Sequence, residues 1–446
     1  MLKRKTLLLV LSLVLVGALL SSCAYFPYLT VDSLTRGTRG TEEAAPEPAE
    51  ATAAPAAGEN SSGGNTVTIS REKYEQYKKF DTLIELMETV DELYYEDVDE
   101  ELMLQGAAAG LLDALGDPYT FYYTPEAYKE LWEDDEGSYA GIGVMISGNY
   151  DTQICTITRV FKGGPAEAAG VKKGDILYRV NEDLYVTADT LQQAVDVMRG
   201  TPGTPVDVTF LRDGKEYTVT IVRATVTVNR IDSMMLENQI GYIRLYEFAG
   251  ECAKEFSTAL KELESAGAEG IIIDLRDNGG GWVDAAKDIG DLFLDSGVLC
   301  YLEYKDGSRE YYRTRDGKTD LPVVMLVNQY SASASEILTG ALKDRAGATV
   351  VGVQSYGKGI VQVVLSIGKK GEGMQATIAQ YFTPNGNAVH KIGIAPDVVC
   401  ELPEGDNGDY DLGDTEHDIQ LKTAVDTMLK KLNKAEPVTE GAEVEQ

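Results

Sequence analysis

Histidine is nearly absent: the 446-residue chain has two, His390 and His417, and neither stands in a recognisable triad setting. A histidine general base is therefore a poor expectation, and a histidine-based hydrolase would need one of these two to reach a serine. Cysteine is also scarce. The five, at 23, 155, 252, 300 and 400, include no pair at metal-ligand spacing and form no disulfide framework. Cys155, Cys252, Cys300 and Cys400, set in apolar text, are expected as buried free thiols. Basic residues are outnumbered, 40 Lys plus Arg against 72 Asp plus Glu, for a formal net charge of −32. That argues against nucleic acid or anionic lipid as a direct ligand, because phosphate contacts need clustered cations.

Hydrophobic residues make up 43% of the chain, enough for two or three domains with ordinary cores. The most informative stretch runs from Asn328 to Gln362. An apolar strand, Val323 to Val327, enters Ser331-Ala-Ser-Ala-Ser-Glu336, and a helical run through Leu338, Ala341 and Leu342 follows. Serines at a helix amino terminus meet free N–H groups and the positive dipole end, which suits a group that must carry negative charge through a tetrahedral intermediate. Ser333-Ala-Ser-Glu336 is equally a capping-box pattern. Lys358 then lies between two glycines among Val350, Val351, Ile360, Val361 and Val363. Desolvation disfavours the charged form of such a lysine, which can then serve as a base toward a serine hydroxyl.

Ser331-Ala-Ser-Ala-Ser-Glu-Ile337 and Tyr356-Gly-Lys-Gly-Ile-Val-Gln362 resemble the carboxy-terminal processing, or tail-specific, serine peptidases. The resemblance implies Ser333 as nucleophile, Lys358 as its base and Gln362 as the residue that orients the lysine, with Ser331 and Ser335 as structural neighbours. It also implies an α/β protease core of the crotonase-like, ClpP-like spiral type, with an inserted mixed α+β PDZ domain and a small N-terminal helical region.

Residues 1–23 join Lys3, Arg4 and Lys5 to an apolar run from Leu7 to Leu20 and end Leu20-Ser-Ser-Cys23. This is a secretory signal; its end resembles a lipobox, which implies lipidation of Cys23, and an uncleaved signal anchor is the other reading. Either places the body on the extracytoplasmic face of a cell membrane. Residues 24–69 read as a flexible linker. Residues 70–136 form a helical region, with Tyr77, Phe80, Ile84, Met87 and Leu93, then Leu102, Ala109, Leu112 and Leu115, at helical spacing, and Gly116-Asp-Pro118 as a stop. By resemblance these helices offer a candidate homodimer surface.

Short strands and turns over 137–224 resemble a PDZ domain. Gly141-Ile-Gly-Val144 is a glycine-loosened loop leading into an open-edged strand, whose N–H groups could hold a terminal carboxylate while the strand edge pairs with a peptide. Gly141, Ile142, Gly143, Val144, Leu191 and Val195 are the candidate peptide-binding residues, and plain core is the alternative reading for the four apolar ones. Residues 225–402 alternate strands and helices, an α/β protease domain. Its strand Gly270 to Arg276 runs into Asp277-Asn-Gly-Gly-Gly281, a loop or an anion-binding concavity. The resemblance makes the amides of Gly279 and Ala334 the oxyanion donors, with Gly280 open as a substitute. Asn387-Ala-Val-His-Lys391 departs from the family pattern and leaves His390 without a role. Residues 403–446 comprise an acidic loop, a helix from Asp418 to Leu432 and a polar tail expected to be disordered.

The reading is a membrane-tethered serine endopeptidase that recognises protein C-termini through its PDZ domain and cuts by a Ser–Lys dyad supported by Gln362. Proteins or peptides with exposed C-termini are the expected partners, and no cofactor, metal or nucleic acid is implied. The rival is a non-enzymatic, lipid-anchored PDZ scaffold with an inactive protease-like body, which a degenerate dyad would favour.

Overall fold

The computed structural model describes residues 28–29, 67–135, 137–149, 152–315, 317–404, 406, 408 and 410–433. The signal stretch with Cys23, nearly all of the linker and the last residues of the tail lie outside the described residues. By contacts the chain divides into Asp32–Gly116 and the remainder.

In the smaller unit, Ser70 caps the helix Arg71–Tyr77 by accepting from Lys73 N–H, and Asp99 caps Glu100–Asp113 by accepting from Leu102 N–H. Asp81–Leu93 lies between them. None of these helices has a buried residue, and Tyr77, Phe80, Ile84, Leu93 and Leu102 are all exposed. The apolar periodicity is thus realised as helices whose apolar residues this chain does not bury.

Residues 117–135, which the sequence grouped with these helices, belong to the larger unit. Phe121–Tyr123 pairs antiparallel with Gly373, Met374 and Gln375 of the strand Glu372–Phe382. The chain thus contributes a strand to the protease body before entering the PDZ domain, and it returns at Ile231. The two passages are paired, Ser138–Gly141 antiparallel to Ala224–Thr227. The PDZ domain is therefore inserted. It is built on the strands Val144–Asn149, Ile154–Val160, Ile176–Val180, Pro205–Arg212 and Lys215–Val222, with the helix Leu191–Met198. Its own core gathers Ile157, Leu177, Val208 and Phe210.

In the body, the strands Ile231–Leu236, Ile240–Leu245, Gly270–Asp274, Val323–Val327, Thr349–Gly352 and Val398–Val399 lie side by side in chain order. All pair in parallel except the first two. Their continuous apolar runs follow from burial on both faces. Ile271 and Ile273 face the helices Cys252–Ser265, Val283–Gly290 and Ala334–Ala346, while Ile272 faces Leu421, Ala424 and Met428 of the last helix, Ile419–Lys431. A second, antiparallel sheet of Ile360–Ile367, Glu372–Phe382, Gly297–Tyr304 and Arg309–Thr314 closes over the other side of the three helices. Helix Ala334–Ala346, between the two sheets, is buried at every position from Ala334 to Leu342. Cys155, Cys252 and Cys300 are buried free thiols; Cys400 is only half-buried, against a Thr423 hydroxyl at 3.4 Å.

A buried ionic cluster pins the last helix to the sheet. Arg276 donates to Asp274 at 2.7 Å and to both oxygens of Asp418 at 2.9 and 2.7 Å, and Tyr242 Oη donates to Asp274 at 2.7 Å. Asp418 also accepts from Leu421 N–H, so it caps the helix as well. Burial pushes the Asp274 carboxyl up, but the Arg276 and Arg244 charges outweigh it and hold it at about 2. Arg276→Ala strands two buried carboxylates and is expected to lower stability by about 3–5 kcal/mol in urea unfolding. A carboxyl depressed on folding stabilises fully above its unfolded value of about 3.9 and loses that contribution as pH falls toward its folded one. Stability should therefore drop between about pH 4 and pH 2, and Asp274→Asn should flatten that limb of the unfolding curve.

Candidate active site

Ser333 sits between the strand Val323–Val327 and the helix Ala334–Ala346, with φ 58° and ψ −114°. A side chain rarely adopts this backbone, and such strain persists only where neighbours over-determine it. The neighbours here are the flanking serines. Ser331 Oγ donates to Leu275 O at 2.7 Å and accepts from Asn328 N–H, and Ser335 Oγ donates to Asn278 O at 2.9 Å. Both serines hold the turn against the glycine loop, leaving Ser333 with a buried Oγ that has no hydrogen-bond partner among the described residues.

The second partner of the turn is Glu336. Its Oε2 accepts from Ser333 N–H at 2.8 Å and from Lys358 N–H at 2.9 Å; its Oε1 accepts from Gly357 N–H at 2.7 Å and Ser355 Oγ at 2.5 Å. Tyr381 Oη adds a bond to Oε2 at 3.2 Å. One carboxylate thus brings the serine turn and the lysine loop together, and Tyr356 N–H to Ser331 O at 3.0 Å supports the junction. Burial pushes the Glu336 carboxyl above its ordinary range against the pull of these bonds. Lys358 is 4% exposed, with Nζ 4.6 Å from the centroid of the Tyr119 ring. Gln362 is fully buried; Nε2 donates to Thr377 Oγ1 at 3.0 Å, and Oε1 accepts nothing among the described residues.

The glycine loop packs on the same turn. Gly280 has φ 106°, and a Cβ there would lie 2.9 Å from Ser333 Cβ and 3.0 Å from Ala334 N, so only glycine fits. Asn278 Oδ1 accepts Gly280 N–H at 2.8 Å, which commits that amide. The N–H groups of Gly279 and Ala334 donate to nothing among the described residues. The sequence left Gly279 and Gly280 as alternatives, and this bond leaves Gly279 as the available donor.

In the PDZ domain, Val144–Asn149 is an edge strand, paired only with Ile154–Val160. The N–H groups of Ile142 and Gly143, just before it, donate to nothing among the described residues, and Gly143 has φ 87°. Gly141 ends the strand that pairs with Ala224–Thr227. Val144, Leu191 and Val195 are half-buried beside the core, whereas the Ile142 side chain is 2% exposed and belongs to the core itself. What Ile142 can offer a peptide is its N–H. Neither histidine bonds a serine among the described residues: His417 Nδ1 pairs with Asp414 Oδ2 at 2.9 Å, and His390 Nδ1 has no hydrogen-bond partner.

Sequence reasoning took Glu336 as a helix cap and did not single out Tyr119, Thr120 or Thr377. The capping-box spacing was a signal for the first; nothing local marks the other three.

Three family models match the chain: peptidase family S41 over residues 239–400, a PDZ domain over 140–222, and the activating protease CtpB N-terminal domain over 48–127. The carboxy-terminal processing protease CtpA of Bacillus subtilis is 36% identical over 73% of this chain and 70% of its own length. CtpB of the same organism is 34% identical over 74% and 69%, and the carboxy-terminal-processing protease of Bartonella bacilliformis 33% identical over 79% and 82%. Among solved structures, a photosystem II D1 C-terminal processing protease superposes with a TM-score of 0.50 at 29% identity, covering 75% of this chain and 94% of that one. Fold and relatives together define a serine peptidase with a PDZ domain. The chain belongs to peptidase family S41, among the carboxy-terminal processing proteases.

If the backbone of Ser333 is strained, Ser333→Gly should be about 1 kcal/mol more stable than Ser333→Ala in urea unfolding, since both lack the hydroxyl and only glycine relieves the strain. Equal stabilities would remove strain from the account. Glu336→Gln, which puts an amide NH₂ among donors, should fold but lose about tenfold or more in kcat at little changed KM.

Proposed function

We propose that this protease cuts with a Ser333–Lys358 dyad supported by Gln362, and that its PDZ domain selects substrates by their carboxy terminus. The observation that carries the dyad is the shared Glu336 Oε2, which accepts from the backbone N–H of both Ser333 and Lys358. Ser333 Oγ attacks the scissile carbonyl, and the neutral Lys358 amine takes its proton and returns it to the leaving amine. In this reading Gln362 offers the amine its buried Oε1, which accepts no hydrogen bond among the described residues. The unspent N–H groups of Gly279 and Ala334 receive the oxyanion; losing one such donor typically reduces turnover about 10²–10³-fold. Ser333 has no exposed surface in this structure.

In the PDZ domain, Ile142 and Gly143 N–H take the terminal carboxylate, the edge strand from Val144 pairs with the peptide, and Val144, Leu191 and Val195 receive its last apolar side chain. Lipidation of Cys23, or an uncleaved signal anchor, would hold the body at the extracytoplasmic face of the membrane, and the exposed helices of 71–113 would serve a homodimer. The scaffold reading is not favoured, because Ser333, Lys358 and Gln362 are all present in the sequence and the relatives are named as proteases.

The full chain is expected to degrade an unfolded protein with an apolar carboxy terminus. Ser333→Ala and Lys358→Ala should fold normally and cut nothing; undiminished cleavage by either would sink the dyad. Amidating the terminus of a peptide substrate removes the charge that the PDZ loop would bind, and should lower kcat/KM about tenfold or more. An unchanged kcat/KM would remove carboxylate recognition from the account.

A further inference from the structure

A base that takes a proton acquires charge as it does so, and the step is speeded by whatever binds the charged form better than the neutral one. Lys358 is 4% exposed, and burial disfavours an ammonium. A partner that is strongest where water is absent suits such an amine.

Tyr119 supplies one. Lys358 Nζ lies over the Tyr119 ring, 4.6 Å from its centroid, inside the roughly 6 Å within which a ring face attracts a cation, and the attraction is larger in a desolvated site. The negative face draws an ammonium; it also draws the N–H bonds of a neutral amine and repels its lone pair. The face, and not the hydroxyl, meets the amine: Tyr119 Oη lies 3.4 Å from Tyr356 Oη.

The turn that carries the ring is fixed on both sides of it. Tyr119 N–H donates to Asp117 Oδ1 at 3.0 Å, and Tyr119 O accepts at 3.1 Å from Nε2 of Gln375, which has no exposed surface. Thr120 Oγ1 donates to Asp117 Oδ2 at 2.7 Å and accepts from Thr377 N–H at 3.0 Å. Thr377 stands beside a bulge: Val361 pairs with Ala379 but Gln362 with Thr377, so the strand Glu372–Phe382 carries one extra residue, Ile378, at that point. Lys358 itself lies just before the partner strand, Ile360–Ile367. Ring and amine thus arrive on two passages of chain, each tied to the same pair of strands.

We propose that Tyr119 is a further catalytic residue, whose ring face binds the Lys358 ammonium that forms when the amine takes the Ser333 proton. The Ser333 O–H bond breaks as the Lys358 N–H bond forms, and the same proton then passes to the leaving amine, so the ring meets the full charge only between the two transfers. The proposal rests on the Ser333–Lys358 reading. The other titratable groups around the lysine are the Glu336 carboxylate, which accepts the Lys358 backbone N–H and Tyr381 Oη; Asp117, on the turn that carries the ring; Tyr356, in the lysine's own loop; and His390, whose backbone packs on Gly359. A ring face attracts a cation less than a carboxylate does at the same distance, and it adds no net charge. It therefore favours the ammonium without fixing the amine in that form.

The test is the pH profile of kcat/KM of the full chain, on a peptide with an apolar carboxy terminus, for Tyr119→Leu, Tyr119→Phe and phenylalanines carrying one, two or three ring fluorines at position 119, with a melting curve for each. Tyr119→Leu is expected to move the acid limb down by about one pH unit and to lower the plateau about threefold or more, because the lysine becomes a weaker base. Tyr119→Phe keeps the face and should restore the acid limb to its parent position. Each added fluorine weakens the negative face at nearly constant shape, so the limb should step downward along the series. An acid limb that stays in place in Tyr119→Leu, or a lowered plateau with an unmoved limb, would overturn the proposal, since lost packing alone gives the second result. If Tyr119→Leu does not fold, the fluorinated series decides: a limb indifferent to fluorine overturns the role of the ring. Undiminished turnover in Lys358→Ala would remove the dyad and this role with it, whereas loss in Lys358→Ala with an unmoved limb in Tyr119→Leu would overturn the ring's part only.

Discussion

A single buried carboxylate organises the catalytic half of this protein. Taking a charge out of water is strongly unfavourable unless donors surround it, and Glu336 meets that requirement with groups from the serine turn, the Ser355–Lys358 loop and the strand Glu372–Phe382. The requirement works in reverse as well. Segments that share no sheet register are held together because each supplies a donor that the carboxylate cannot do without. Backbone N–H groups make up three of the five donors, and this constrains main chain directly. Lys358 is thus placed by its own backbone amide.

The strained serine follows from the same arrangement. Its φ of 58° is tolerated because the residues before and after it are already committed: Ala332 N–H and Ser335 Oγ both bond to Asn278 O, and Ile337 N–H to Ser333 O. The glycine loop approaches within contact distance of that turn and the helix behind it is buried for nine residues running. The amino end of the helix dipole is therefore presented in a site shielded from water, where its field is strongest. Asn278 consumes the one amide, that of Gly280, that would otherwise compete with Gly279.

Much of this was legible in the residues. The serine and lysine segments, the PDZ order and the alternating strands and helices each rest on local patterns. What escaped notice depends on distant pairing. Glu336 looks like an ordinary cap because a cap needs only its own turn, whereas its other donors lie 19–45 residues further on. Asp117-Pro-Tyr-Thr120 looks like a helix stop, and it is one; its other task is a bond to a residue 257 positions away. The bulge at Ile378 leaves no trace in a strand of alternating side chains. Ile142 shows the opposite limit: its hydrophobic side chain suggested a pocket wall, and the fold spent it on the core.

The lysine has two carboxylates in its surroundings, Glu336 and Asp117, in a chain of net charge −32. The distant charges matter little, since ions screen them beyond about 8 Å at physiological strength. Neither near carboxylate is bare: Glu336 has five donors, and Asp117 has the Thr120 hydroxyl and the Tyr119 backbone amide. Dipoles pointed at a carboxylate offset part of its field, so each can hold a backbone in place. Around Lys358, then, the carboxylates that gather the backbone are already occupied by other donors.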